Sequence, residues 1–238
     1  MIPAYNEEQR LPSTLDAILG YLQQHAAEYF AWELVVVNDG SSDGTAALVK
    51  RLAAREPNLR LLENPGNQGK GYSVRHGMLE ARHEWVLFSD ADLSAPIEEL
   101  PKLFHAVGRE RAAIAIGSRA LDRSLIGAHQ SAFREFGGRF FNLMVQLGTG
   151  LRFWDTQCGF KLFRRDAAQA VFKRLQLERF GFDVEALFVA QRLGFKIVEV
   201  PVRWNHVDGT KVSLTNDSID MFGDIVRVRW KAWKGLYR

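Results

Sequence analysis

The chain has 238 residues, 47% hydrophobic and 25% charged, which is the balance of an average soluble globular protein and excludes disordered, collagenous and coiled-coil architectures. Its 31 Lys+Arg against 28 Asp+Glu leave a formal +3, too small to mark a nucleic-acid binder, and no apolar run approaches the roughly 18–20 residues that a membrane-spanning helix needs. The lone Cys158 excludes an internal disulfide and a thiolate zinc site, and points to a reducing compartment.

Met1-Ile2-Pro3-Ala4-Tyr5-Asn6-Glu7-Glu8 lacks the basic and apolar regions of a signal peptide and reads as the tail of a strand. Short β-branched runs then alternate with amphipathic patterns. Strands are predicted at Leu34 to Asn38, Leu59 to Glu63, Trp85 to Ser89 and Ala113 to Ser118. Helices are predicted at Leu11 to Tyr29, Thr45 to Arg55, Gly71 to Arg82 and Ile97 to Val107, with Asp43 and Ser94 as N-caps and Pro96 in a first turn. The second half is less regular: helices at Gln130 to Leu147, Asp166 to Leu175 and Asp183 to Arg192, and strands at Gly159 to Phe163 and Lys196 to Pro201. No Pro/Gly/Ser-rich boundary interrupts the chain, so a single α/β domain over residues 1–238 with a mostly parallel sheet between helices is expected.

In an open parallel sheet, ligands bind beyond the carboxyl ends of the strands. The polar residues follow that rule, clustering at Pro3 to Glu7, Asp39 to Asp43, Asn64 to Lys70, Asp90-Ala91-Asp92 and Ser118-Arg119. Asp90 and Asp92, two residues apart after a buried-type strand, suit Mg²⁺ or Mn²⁺ holding a diphosphate. Asn64 to Gly71 is a glycine-bearing turn into a helix whose N–H groups and Lys70 suit a phosphate, but it has neither the Walker spacing nor G-x-G-x-x-G.

Together, Ile2 to Glu8, Val37 to Asp43, Asn67 to Gly71, Asp90-Ala91-Asp92 and Gly117-Ser118-Arg119 resemble the family 2 glycosyltransferases of GT-A fold. Asp155-Thr156-Gln157-Cys158-Gly159-Phe160-Lys161-Leu162-Phe163 is similar to the branch of dolichyl-phosphate β-glucosyltransferases, with the dolichyl-phosphate mannose synthases next nearest. The resemblance implies that Pro3, Ala4, Tyr5 and Glu7 line a nucleotide pocket, Asp39 contacts the base, Lys70 lies near the nucleotide, and Asp90, Ala91 and Asp92 serve the sugar and metal-diphosphate. Ser94 stands where mannose synthases carry a glutamine ligand, which leaves a third metal ligand unassigned. Arg119 and Arg134 match arginines used around donor and acceptor phosphates, where a planar guanidinium fork directs phosphate oxygens. Lys211 resembles a late basic residue that closes over the diphosphate.

The implied reaction moves a hexose from a nucleotide-sugar donor to a polyprenyl phosphate with inversion. A phosphate monoester, with a second pKa of about 6, attacks without losing a proton. Asp155 is expected at the active site, as a base for a hydroxyl acceptor or as a recognition residue; Glu185 either supports the site or is structural. Cys158 and His206 read as structural. A family 2 transferase acting on a carbohydrate hydroxyl, a mannose synthase using GDP-mannose and a non-catalytic nucleotide-sugar-binding adaptor are the alternatives. Spacing does not separate UDP from GDP or glucose from mannose.

Residues 216–238 form a basic amphipathic pattern in which Trp230, Trp233 and Tyr237 interleave with Arg227, Arg229, Lys231, Lys234 and Arg238. This predicts a helix lying on a membrane surface, peripheral on its cytoplasmic face. Phe133, Phe136, Phe140, Phe141, Leu143, Met144, Val145 and Leu147 offer either a second such surface or a buried helix. Only Met1 and Ile2 precede Pro3, where the family enters from a complete strand, so an upstream segment with room for a membrane anchor is expected.

Overall fold

Leu34–Asn38 (β2) is an unbroken apolar run ending in asparagine, and a strand buried along its whole length needs a partner on each side. Ile2–Ala4 (β1) and Leu59–Glu63 (β3) flank it in parallel, with Ile2 opposite Val36 and Val37 opposite Leu62. The computed structural model describes residues 1–29, 31–128, 132–179, 181–207 and 216–237, with the side chains of 132–135 and 216–222 outside that description. A second sheet has Trp85–Ser89 (β4), Ile114–Ser118 (β5), Phe160–Arg164 (β6) and Ile197–Pro201 (β7) in the order β4-β6-β5-β7. The Ser89 N–H donates to the Met1 carbonyl at 3.1 Å and the Met1 nitrogen to the Leu87 carbonyl at 2.6 Å, so the sheets meet along β1 and β4.

The expected parallel arrangement holds within the first sheet and between β5 and β7, whereas β6 runs antiparallel to both β4 and β5. Phe160, Lys161, Leu162 and Phe163 are all buried, so β6 has the continuous burial of a parallel strand and its direction leaves no trace in the residue pattern.

Strand alternation divides the core into two layers. Val35 and Val37 face one way with Ile114, Ile116 and Phe163, against Lys70–Glu80 (α3), Ala132–Thr149 (α5), Arg165–Phe172 (α6) and Phe182–Arg192 (α7). Leu34 and Val36 face the other way with Ala115 and Leu162, against Leu11–Gln24 (α1), Thr45–Ala53 (α2) and Leu100–Glu110 (α4). Helix Asn216–Trp233 (α8) packs on α5, inserting Ile225 over Gly148, where a β-carbon would come within 2.4 Å of it.

Three local expectations shift. Helix α1 stops at Gln24 and not at Tyr29, because the His25 carbonyl accepts from both Glu28 and Tyr29 N–H groups and turns the chain. Gly44 is the N-cap of α2, and Asp43, one residue earlier, accepts the Thr45 N–H at 3.0 Å. Pro96 takes the N-cap position of the short 3-10 turn Ile97–Glu99, whose cap lacks a side-chain hydrogen bond, so Ser94 is not a cap.

One charge lies inside the second sheet. Lys161 on β6 is 2% exposed and bonds the Asp183 carboxylate on α7 and the Cys158 carbonyl at 2.7 Å. Its ammonium also sits over the Phe88 ring, which meets Phe182 edge-on at 5.8 Å. Lys161→Met leaves Asp183 without its counter-charge in the core, and the expected result is a loss of about 3–5 kcal/mol of unfolding free energy by denaturant titration, the cost of breaking a buried ion pair from one side.

Candidate active site

The loops after β1, β2 and β3 are stitched into one surface. Asn6 takes a left-handed conformation (φ 52°), which asparagine tolerates, and its side-chain oxygen accepts the Ser42 N–H at 2.8 Å while its own N–H reaches Ser41 Oγ at 2.9 Å. Ahead of this turn Pro3 and Ala4 are buried in β1, Tyr5 is 38% exposed, and Glu7 is buried with its N–H on Thr45 Oγ1 at 2.8 Å. Asp39, 4% exposed, accepts from Asn64 Nδ2 (2.8 Å), Gln68 N–H (3.0 Å) and Gly69 N–H (2.8 Å), and so fixes the turn that leads into α3. Gly40 is needed in this packing, because at its φ of +67° a β-carbon would lie 2.4 Å from the Gly66 carbonyl carbon.

Asp90 and Asp92 follow β4. The Asp90 N–H donates to the Gly159 carbonyl at 3.0 Å, and a β-carbon on Gly159 would come within 1.9 Å of Asp90 Oδ2, so the Cys158-Gly159 segment shapes the seat of that carboxylate. Lys70 Nζ pairs with the buried Asp90 Oδ1 at 2.7 Å. Burial opposes the Lys70 charge, but Asp90, Asp183 and Asp92 outweigh it and raise its pKa. Asp92 Oδ1 accepts the Ser94 N–H at 3.0 Å, and Leu93 between them adopts φ 49°, a strained conformation for a leucine. The Ala91 carbonyl is tied to Thr14 Oγ1 on α1 at 2.7 Å. Asp90 and Asp92, two carboxylates at the end of β4 that both act on the Lys70 charge, have the donor chemistry of a Mg²⁺ or Mn²⁺ site. Among the described residues no group of three His, Cys, Asp or Glu side chains converges to hold a metal alone.

Arg119 follows β5 and meets Asp155. Its Nε and Nη2 donate to the two carboxylate oxygens at 2.6 and 2.8 Å, and its backbone N–H adds a third bond at 3.0 Å. Gln157 N–H donates to the same carboxylate at 3.1 Å, and Trp204 covers the guanidinium with 5.4 Å between the Arg119 Cζ and the ring centroid. Burial alone would raise the Asp155 pKa, but the Arg119 charge and these bonds prevail and bring it down to about 2. Asp155 is therefore a permanently ionised anchor.

The pair borders a cavity of about 420 Å³ whose polar lining includes Arg119, Arg123, Arg139, Asn142 and Gln146, with Trp154 and Trp204 as its aromatic walls. Arg123, Arg139, Trp154 and Trp204 carry no motif and escape a sequence reading; only the helical spacing of Arg139, Asn142 and Gln146 hints at a shared polar face of α5.

Other expectations resolve individually. Glu185, wholly buried, accepts N–H groups from Gln176 and Leu177 and the Tyr237 hydroxyl at 2.6 Å, which makes it structural. Cys158 is buried, and burial pushes its thiol pKa up to about 12. His206 stacks on Trp204. The Arg134 side chain and Lys211 lie outside the described residues. On α5, Phe141 and Val145 are buried while Phe136, Phe140, Leu143 and Leu147 are exposed. On α8, Ile225 and Val228 are buried while Val226, Trp230 and Trp233 are exposed, the last at 84%. Both helices thus have a packed face and an outward apolar face. No described helix is long and apolar enough to cross a membrane.

Residues 1–172 match the family model for glycosyl transferase family 2. A dolichyl-phosphate beta-glucosyltransferase of Drosophila melanogaster is 41% identical over 100% of this chain and 76% of its own, and the Homo sapiens protein of the same name is 35% identical with the same coverage. Among solved structures, glucosyl-3-phosphoglycerate synthase from Mycobacterium tuberculosis in complex with Mn²⁺, UDP-glucose and phosphoglyceric acid superposes with a TM-score of 0.65 at 19% identity, covering 95% of this chain and 77% of that one. Mannosyl-3-phosphoglycerate synthase from Rubrobacter xylanophilus follows at 0.61 and 18%, covering 98% and 73%. The fold is GT-A, and the chain belongs to family 2 of the glycosyltransferases, in the branch of the dolichyl-phosphate β-glucosyltransferases.

Proposed function

We propose that residues 1–238 act as one catalytic unit that transfers glucose, with inversion, from UDP-glucose to the phosphate of a dolichol-type polyprenol. The observation that carries this reading is the bidentate capture of Arg119 by Asp155 at the edge of the arginine-lined cavity. It places a fixed cation beside an open volume and removes from use the carboxylate that a hydroxyl acceptor would need as its base. An ionised phosphate needs no base, so the chain's task is in-line positioning and charge stabilisation. The names of the 35–41% identical relatives above support the acceptor and the sugar.

In this reading Pro3, Ala4, Tyr5, Glu7 and Asp39 form the nucleotide end of the rim. Asp90 and Asp92 would hold a divalent cation, Mg²⁺ or Mn²⁺, which supplies neutralisation of the departing diphosphate. The M. tuberculosis structure with Mn²⁺ and UDP-glucose supports that choice. Lys70 adds positive charge beside Asp90, and by the family resemblance Arg134 and Lys211 would add to it. Incubation with radiolabelled UDP-glucose and dolichyl phosphate should yield lipid-extractable label only when Mg²⁺ or Mn²⁺ is present. Asp92→Asn should lose that label while keeping the wild-type circular dichroism spectrum. Sugar transfer with no label in the lipid phase overturns the acceptor, and lipid labelling from GDP-mannose but not from UDP-glucose overturns the donor.

The pH dependence separates the two chemistries. Asp155, depressed to about 2, stays ionised from pH 5 to 9, so it contributes no titration there. The acceptor phosphate loses its second proton near pH 6. kcat/KM for dolichyl phosphate is therefore expected to rise roughly tenfold per pH unit below about 6 and to level off above it, with the same midpoint in Asp155→Asn at a lower plateau. A midpoint that moves with the enzyme variant means that a protein group is the base.

The protein reaches its lipid as a peripheral membrane protein. Phe136, Phe140, Leu143 and Leu147 are exposed at three- and four-residue spacing on α5, Leu143 also lining the cavity, and Val226, Trp230 and Trp233 are exposed on α8 with Arg229 and Lys234. Aromatic rings flanked by cations suit the interface of an anionic bilayer. Replacing Trp230 and Trp233 together by Ala should weaken sedimentation with phosphatidylserine-containing liposomes by about tenfold or more, while soluble UDP binding is retained. Unchanged sedimentation assigns membrane contact elsewhere.

A further inference from the structure

Glu199 is absent from every motif and lies in the middle of β7, opposite Ile116 of the neighbouring strand β5, three residues before Arg119. Its carboxylate accepts from the Ser118 side chain and from two consecutive backbone N–H groups of another loop: Oε2 from Trp154 at 3.0 Å and Oε1 from Asp155 at 2.8 Å. Those two residues are the ones that meet the cavity, Trp154 as a wall and Asp155 as the anchor of Arg119. No regular element carries residues 151–158, so the position of this loop depends on such tethers.

We infer that Glu199 is a positioning residue for the acceptor phosphate, acting through Asp155 to set the direction of the Arg119 guanidinium. Three rigid parts converge on that group. Glu199 holds the backbone of Asp155 from β7, Asp155 grips the guanidinium edge-on, and Trp204, just past β7, covers its face. The strand that carries the tether is paired directly to the strand that carries Arg119, so both ends of the linkage rest on one pair of strands. A glutamine at 199 presents one acceptor oxygen and one N–H₂ group, so one of the two backbone donors loses its partner and faces another donor. The guanidinium then loses its fixed aim while the nucleotide rim, built by loops after β1 to β4, is untouched.

The inference rests on the polyprenyl-phosphate reading, and the test separates the two. Steady-state kinetics and UDP calorimetry with Mn²⁺ are compared for wild type, Glu199→Gln, Arg119→Lys and the double variant. Glu199→Gln is expected to raise the KM for dolichyl phosphate by about tenfold, the weight of one hydrogen bond to a charged group, with UDP affinity unchanged. On the Arg119→Lys background the same change is expected to have less than about a twofold effect, since two residues acting through one interaction are not additive. Glu199→Asp, which keeps the charge one methylene short, should fall between wild type and Gln, and it takes over the measurement if Gln does not fold. A wild-type KM in Glu199→Gln beside an impaired Arg119→Lys overturns the positioning role alone. Equal effects in both backgrounds, or loss of UDP binding together with acceptor binding, also overturn it. A wild-type KM in Arg119→Lys itself overturns the acceptor reading beneath it.

Discussion

A guanidinium group reads phosphate by direction, and Arg119 has its direction imposed by Asp155. Two parallel N–H to oxygen bonds, a backbone bond and an indole face leave the side chain little freedom. The cost of burying the Asp155 charge is outweighed locally by the Arg119 charge, which is why its pKa falls where burial alone would raise it. Almost everything around the cavity can be understood as holding this pair still. β6 enters antiparallel, bringing Gly159 against Asp90 and placing the preceding loop, with Asp155, beside the end of β5.

Charge is arranged in two regions with different tasks. Around β4 the carboxylates of Asp90, Asp92 and Asp183 outnumber the ammonium groups of Lys70 and Lys161. That is an environment suited to receiving a further cation. Around β5 the balance is reversed: Arg119, Arg123 and Arg139 line a cavity whose one carboxylate is already taken by Arg119. That environment suits an anion. The field of Asp90 still reaches Arg119, so the two regions belong to one electrostatic unit. Between a metal-diphosphate donor and a phosphate acceptor, such a division is what a sugar transfer between phosphates requires.

The two helices that border this unit do double duty. Helix α5 buries Phe141 and Val145 in the core, offers Arg139, Asn142 and Gln146 to the cavity and turns Phe136, Phe140 and Leu147 outward. An acceptor with a charged head and an apolar tail would meet the corresponding surfaces on one helix. The exposed tryptophans of α8 extend the apolar surface, while its buried Ile225 and Val228 fasten that helix to the body.

The sequence by itself determined the elements, their order and the rim. Strand runs and helical spacing report burial on a local period, and the motifs at Asp39, Lys70, Asp90, Asp92 and Arg119 sit beyond strand ends where loops must converge. It could not determine the direction of β6, because burial on both faces looks alike in either direction. Nor could it choose between base and recognition residue for Asp155 or foresee its grip on Arg119, since a carboxylate's role is set by the charge beside it, and Arg119 is 36 residues away. The split faces of α5 and α8 were equally undecided, because an apolar residue reads the same whether it enters the core or meets a lipid. Glu199, Arg139, Trp154 and Trp204 were invisible, because their significance lies only in what the fold places next to them. Tertiary structure decided these points, because pairing across long stretches of chain sets hydrogen-bond partners, dielectric surroundings and exposure.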